Sequence, residues 1–213
     1  MIDTIYITGG TGFIGKNLTE HLKEKYKYII NFARQNKVFI TKGNKKKVIN
    51  IKDFDASKFK ANKLINLATY YNPYPKNIHE LKKIINSNIF FQLDILDRIY
   101  STKLKIINIA SVLQVAEIKH QNEYSLSKNI FKNFSENFFK NTSNIYIYDT
   151  FGLNDKRQKV VDVFIDKIEK RKSIMIPKNK VLLNLNHVDD ICYSIVKNLN
   201  KFKIKNYVIK SPH

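Results

Sequence analysis

Residues 4–8 form a short run of β-branched and apolar positions, and beyond a glycine cluster Phe13, Ile14, Leu18 and Leu22 recur at helical spacing. A strand, a turn and a helix are predicted in that order. Further apolar runs fall at 28–32, 48–51, 63–67, 105–110 and 144–148, several of them apolar at successive positions rather than alternating. Strands buried on both faces have that pattern. Between them lie helical patterns, clearest at 77–100 and 123–140, where Ile84, Ile85, Phe91, Leu93, Ile95 and Leu96 supply core stripes. Lys42 to Lys47 contains Gly43, Asn44 and three consecutive lysines and reads as an exposed turn between short strands. After Phe151 the pattern changes to a helix at about 159–171, a short strand at 174–176, a Pro177-Lys178-Asn179 turn and a helix at 188–199. The alternation predicts an α/β fold, a Rossmann-like doubly wound parallel sheet. Its dinucleotide-binding core would span about 1–150, and a reduced lobe with returning core elements about 151–213, in a single domain.

The composition agrees with one folded domain: 213 residues, 43% hydrophobic, with only six glycines and four prolines. No apolar run approaches the roughly 18–20 residues that span a bilayer, and the chain opens on a strand pattern rather than a secretion signal, so a cytoplasmic protein without membrane insertion is expected. The single cysteine, Cys192, has no partner for an internal disulfide or a cysteine-based metal site. Thirty-eight basic residues against 18 acidic ones leave a net charge of +20, which draws anions of any kind. Only four of the basic residues are arginines, however, and the lysines are spread along the whole chain. With neither zinc-finger spacing nor an RNP-type aromatic motif, no dedicated nucleic-acid partner is expected.

The chemistry is concentrated in three places. Thr8-Gly9-Gly10-Thr11-Gly12-Phe13-Ile14-Gly15 sets glycines at three-residue spacing between the first strand and the first helix, the context in which a pyrophosphate rests on a helix N-terminus. Near the end of the second strand stands no carboxylate for a ribose diol but Asn31-Phe32-Ala33-Arg34, and the Arg34 guanidinium can pair with a 2′-phosphate. NADP(H) is therefore preferred over NAD(H). Asp53, after the 48–51 strand, could accept from the adenine amino group, and Leu67-Ala68-Thr69 gives the small surface expected beside a cofactor. Finally, Tyr124 and Lys128 stand one helical turn apart, where an ammonium can lower the pKa of a phenol that exchanges a proton with a carbonyl or alcohol. Ser111, at the end of the 105–110 strand, could orient the same oxygen.

These residues resemble the extended short-chain dehydrogenase/reductases, the NAD-dependent epimerase/dehydratase family. Thr8 to Gly15 is similar to its cofactor fingerprint, and Ser111, Tyr124 and Lys128 to its catalytic serine, tyrosine and lysine. Asn88 falls in the helix where the family often carries an asparagine, and His187-Val188-Asp189-Asp190 resembles its late signature. The run Tyr148-Asp149-Thr150-Phe151-Gly152-Leu153-Asn154-Asp155 through Arg157 is similar to the branch containing CDP-abequose and CDP-paratose synthases, NADPH-dependent 4-keto reductases. The resemblance implies a nucleotide-sugar substrate in surface polysaccharide synthesis, with Thr150 beside the cofactor, Ser111, Val112 and Arg157 beside the substrate, and a homodimer formed through the two long helices. Val112 and Leu113 stand where 4,6-dehydratases usually carry an Asp-Glu pair, so net reduction is expected. An epimerase with retained NAD is the alternative, and a non-catalytic NADP-binding regulator or basic RNA-binding module the one after it. The family is commonly longer, so the resemblance also implies a smaller substrate lobe.

Overall fold

The computed structural model describes residues 3–115, 121–155, 157, 159–175, 178 and 183–212. Strand β1 (Thr4–Thr8), buried throughout, passes through the glycine turn into α1 (Phe13–Lys23), and β2 (Tyr28–Ala33) returns parallel to β1. The chain then departs from the expected alternation. β3 (Lys37–Lys42) pairs antiparallel with β2, and β4 (Lys45–Asn50) antiparallel with β3, where a parallel strand is predicted over 48–51. The expected turn at 42–47 contracts to Gly43 and Asn44, with Gly43 in the left-handed region at φ +54°. Its lysines lie along β4, an exposed edge strand, where charge hinders pairing with another sheet. That use of lysine inside a strand hides it from a reading based on apolar alternation.

Beyond β5 (Lys63–Asn66), the long helix predicted for 77–100 is divided. α2 (Ile78–Ile85) and α3 (Phe91–Ile99) are joined by a π-helical turn over Asn86–Phe90. β6 (Lys105–Ser111), α4 (Glu123–Phe138) and β7 (Thr142–Ile147) follow. In the last third, β8 (Asp149–Phe151), α5 (Val160–Glu169), β9 (Leu185–His187), α6 (Val188–Asn198) and β10 (Asn206–Ile209) complete the order. The predicted strand at 174–176 is absent at Ile174 and Met175, and Ile176, Pro177 and Asn179 lie outside the described residues.

The eight-stranded sheet runs β10-β7-β6-β5-β1-β2-β3-β4, parallel from β10 to β2 with the β3–β4 meander on one edge. β8 and β9 form a separate parallel pair. Alternate residues of the inner strands feed two cores. Ile5, Ile7, Ile107 and Ile109 pack with Leu18 and Leu22 of α1 and with Ile191 and Ile195 of α6 on one face. Tyr6, Leu64 and Ile106 pack with Ile95 and Leu96 of α3 and Phe131 of α4 on the other. This double burial is why the strands read as continuous apolar runs. It also returns residues after 151 to the core, α6 beside α1 and β10 beside β7. Among the described residues no helix is long and apolar enough to cross a membrane.

Candidate active site

The glycine turn sits at the carboxyl end of β1, in the middle of the sheet. Gly9 is left-handed at φ +70°, and a Cβ there would lie 2.7 Å from the Ala68 amide nitrogen, so the turn and the segment after β5 touch through backbone alone. A Cβ on Gly15 would collide with the Gly9 carbonyl. Gly12 is different. It is exposed, has an ordinary φ of −77°, and its Cβ would meet only the Gly9 carbonyl oxygen, at 3.3 Å. The chain opposes a side chain there far less than at Gly9 or Gly15. α1 also starts with no side-chain cap and no acid in its first turn, so its amide dipoles are left facing outward. A turn without side chains in front of an uncapped helix fits a dinucleotide pyrophosphate, with Gly9, Thr11, Gly12, Phe13, Ile14 and Gly15 as the residues that would hold it. Asn31, which sequence reasoning used only to mark the end of a strand, accepts from the Gly10 amide at 2.9 Å and fixes this loop.

Tyr124 and Lys128 come together on α4. Asn122 and Ser125 cap that helix reciprocally, each side-chain oxygen accepting the other's amide (3.0 and 2.9 Å), which places Tyr124 in the first turn. The phenol is buried, with the Tyr71 ring edge-on at 4.9 Å. Burial pushes its pKa up to about 12, against hydrogen bonds to the Thr69 and Ser111 side chains that pull it down. The Lys128 ammonium, 5.9 Å from the Tyr124 ring centroid, donates to the Ile109 carbonyl at 2.9 Å, and burial lowers its pKa to about 8. The expectation that Lys128 lowers the tyrosine pKa is therefore reversed for the chain by itself. Desolvation exceeds every charge effect on the phenol, and the groups that oppose it are Thr69, Arg157 and Ser111. At neutral pH the phenol is a proton donor.

Ser111 ends β6. Its Oγ accepts the Leu113 amide at 3.3 Å, which leaves the hydroxyl hydrogen for the phenol or a substrate oxygen, and Val112 begins the turn that follows. Asn88 lies in the π-helical turn, an irregularity common at functional sites. There its Oδ1 accepts from Thr69 Oγ1 (3.0 Å) and the Tyr70 amide (2.7 Å), and its Nδ2 donates to Ser127 Oγ (2.9 Å). One buried amide thus ties the loop after β5 to the helix bearing Tyr124. Gln92, not singled out from sequence, holds the Ala68 carbonyl at 2.5 Å.

The remaining candidates divide. Leu67 and Ala68 lie against the glycine turn, and Thr69 faces Asn88 and the Tyr124 phenol. Arg34 is exposed at the end of β2, in a groove whose lining includes Ala33, Ile51, Phe91 and Ile95 together with Asp94, Asp97 and Arg98. Asp53 is exposed at the end of the turn after β4, two residues beyond Ile51 of that groove. Arg157 is engaged within the chain: it is paired with Asp155 (Nε to Oδ1 2.7 Å), donates to the Thr150 hydroxyl at 2.7 Å, and stacks 4.6 Å from the centroid of Phe13. An anionic substrate would share this guanidinium with Asp155. His187 caps α6 through its ring, accepting the Asp189 amide at 3.4 Å.

Beneath the site, sequence reasoning passed over a ladder of side-chain amides. Thr8 donates to Asn66 (2.6 Å), Asn66 to Asn108 (3.2 Å), Asn108 to Asn144 (3.1 Å) and Asn144 to Asn206 (2.9 Å), crossing from β1 to β10 through residues in register. Its branches reach α4: Asn108 donates to Ser135 at 3.0 Å and Asn144 to Glu136 at 2.6 Å. One asparagine in each of several otherwise apolar strand runs is the signal that could have revealed it.

A family described as NAD dependent epimerase/dehydratase matches residues 5–209. CDP-abequose synthase from Yersinia pseudotuberculosis is 28% identical over 205 residues, covering 90% of this chain and 71% of that protein. Among solved structures, a dTDP-4-dehydrorhamnose reductase from Bacillus anthracis in complex with NADP superposes with a TM-score of 0.75 at 17% identity, covering 100% of this chain and 76% of the other. UDP-glucuronic acid 4-epimerase from Bacillus cereus, in complex with a fluorinated UDP-sugar and NAD, gives 0.77 at 15% identity over 99% and 78%.

Proposed function

Because the chain belongs to the NAD dependent epimerase/dehydratase family, we propose that this nucleotide-sugar-modifying enzyme catalyses NADPH-dependent reduction of the 4-keto group of a nucleotide-activated deoxysugar, for a surface polysaccharide. The observation that carries the reading is the buried phenol of Tyr124 beside Ser111, with Thr69 and Lys128 around it and no carboxylate at Val112 or Leu113. Similarity to CDP-abequose synthase supports the same reaction class.

When bound, the reduced nicotinamide supplies the hydride that makes the ketone carbon a carbinol. The chain's own residues handle the oxygen. Ser111 Oγ–H donates to the ketone oxygen and polarises the carbonyl, and Tyr124 Oη–H gives its proton to that oxygen as negative charge develops. Lys128, held by the Ile109 carbonyl, places an ammonium beside the phenolate that remains until solvent returns the proton. Asn88 keeps Thr69 and α4 at fixed separation meanwhile.

The test is to mix the purified protein with NADPH and a panel of nucleotide 4-keto-6-deoxysugars and follow reduced-nicotinamide absorbance. Consumption that stops at one equivalent of sugar supports the reading. NAD retained through purification, with a product altered only in configuration, would assign an epimerase instead. For the cofactor, Arg34→Glu is expected to weaken NADPH binding by about 10- to 100-fold, the range of a lost charge-assisted pair, and to leave NADH binding unchanged. Equal effects on both cofactors would remove Arg34 from the 2′-phosphate site.

A homodimer through α2–α3 and α4 belongs to the same proposal. α4 is apolar on two sides: Tyr124 and Phe131 are buried on the sheet beside Ser125, Ser127 and Ser135, while Leu126 (47% exposed), Ile130 (44%), Phe134 (51%) and Phe138 (75%) form an outward stripe at four-residue spacing. Phe90 is exposed on the neighbouring π-helical turn. Such a stripe is suited to a twofold helix bundle. Sedimentation at micromolar concentration is expected to give twice the 25.1 kDa chain mass, and Phe134→Glu to halve it. A monomer before mutation would refute the dimer.

A further inference from the structure

The catalytic helix packs on the sheet through Tyr124 and Phe131, and hydrogen bonds along the same face add to that packing. One set of them reaches the backbone of Ser111 by way of Gln114. Gln114, buried at the end of the turn after β6, accepts the Ser111 amide on Oε1 at 2.8 Å. Its Nε2 donates to Asn129 Oδ1 at 3.2 Å, and Asn129 Nδ2 donates back to the Gln114 carbonyl at 3.0 Å. Asn129 follows Lys128 on α4. Two amides, each giving and accepting, therefore join the backbone of Ser111 to the helical turn that carries Lys128.

We propose that Gln114 and Asn129 are positioning residues that form a reciprocal amide clamp fixing Ser111 relative to Tyr124 and Lys128. The proposal rests on the catalytic roles given above to those three residues. Neither amide ionises, so the clamp holds at any pH at which the fold survives. Its geometry is directional: Oε1 must face Ser111 and Nε2 must face Asn129, and a flip of either amide sets like groups against each other. An apolar pair would hold the helix at a distance without fixing its rotation or its register. Ser111 and Tyr124 must meet one substrate oxygen, and small misplacements of reacting groups are costly. The Ser111 amide and hydroxyl both bond into the turn, through Gln114 and Leu113, so loosening the first loosens the setting of the second.

The experiment has two arms. In the first, amide hydrogen exchange at Ser111 is measured by NMR in the full chain and in Asn129→Leu, which removes no atom that touches Ser111. Faster exchange at Ser111 by tenfold or more, with the strand interior at Ile107 unchanged, is expected; unchanged protection overturns the clamp. In the second, kcat and KM are measured for Gln114→Leu, Asn129→Leu and the double variant. Each single change is expected to lower kcat by about tenfold or more with NADPH affinity retained, and the double variant to be no worse than either single one. Effects that multiply, or that fall on stability alone, also overturn the clamp. If the unaltered protein reduces no keto-sugar, the functional reading fails and the exchange arm decides the clamp without it. Gln114→Glu keeps an acceptor for Ser111 and loses the donor to Asn129, and serves as the variant should Gln114→Leu not fold.

Discussion

Tyr124→Phe is expected to lower kcat for keto-sugar reduction by about 10²- to 10⁴-fold, the range of a lost general acid, while NADPH affinity and Tm stay unchanged. The ring remains, packed on Tyr71. The two hydroxyls that face the phenol keep other partners, Thr69 through Asn88 and Ser111 through Leu113. Only a proton donor is lost. The pH profile follows from the same environment. With its pKa pushed to about 12 by burial, Tyr124 is protonated throughout the neutral range and imposes no limb there. Lys128, lowered to about 8, imposes one: kcat should be flat at neutral pH and fall above about 8 as the ammonium loses its charge. Stability moves the other way. Between a folded pKa of about 8 and the ordinary lysine value of 10.5, the unfolded chain holds the extra proton, so stability relative to Lys128→Met rises as pH increases through that window. A Tyr124→Phe enzyme that keeps a tenth of its kcat would falsify the assignment of the proton donor.

The parts of this molecule that were legible in the sequence are those where one local rule decides. β1, the glycine turn and α1 are prescribed by a buried run, a tight turn and a 3.6-residue period in succession, and the helix carrying Tyr124 and Lys128 by spacing alone. β3 was not legible, because Lys37 to Lys42 alternates only loosely and gains its place by pairing with β2. The π-helical turn at Asn86–Phe90 was hidden inside a stripe that reads as one helix. The bonds that accompany it are tertiary, since Asn88 within it meets Thr69, Tyr70 and Ser127 at once. The pKa of Tyr124 was misread for a similar reason. Spacing reveals the neighbouring ammonium, but burial, the larger effect, exists only once Tyr71 and the sheet close over the ring. The amide ladder joins strands far apart in the chain and the Gln114–Asn129 pair joins a turn to the helix after it, and no period announces either.

The glycine turn permits a sharper separation of fold from function, because its glycines are there for different reasons. Gly15→Ala forces a Cβ into the Gly9 carbonyl and the Gly10 Cα inside a packed strand-helix junction. Overpacking of that kind costs about 3 kcal/mol, or roughly 6–12 °C in Tm for a domain of this size, and weakens NADPH binding only as the turn distorts. Gly12→Val meets one carbonyl oxygen at 3.3 Å and adopts an extended φ open to any residue, so Tm should hold within a few degrees. The valine side chain would instead stand in front of the first amides of α1, where the pyrophosphate would rest. NADPH affinity is expected to fall by about 100-fold, ~2.7 kcal/mol. Isothermal titration beside thermal unfolding distinguishes the two: a folded Gly12→Val that binds NADPH normally would move the cofactor away from this turn. The pairing of a stable, non-binding Gly12 variant with a destabilised Gly15 variant follows only if Gly12 leaves room for something that does not belong to the chain.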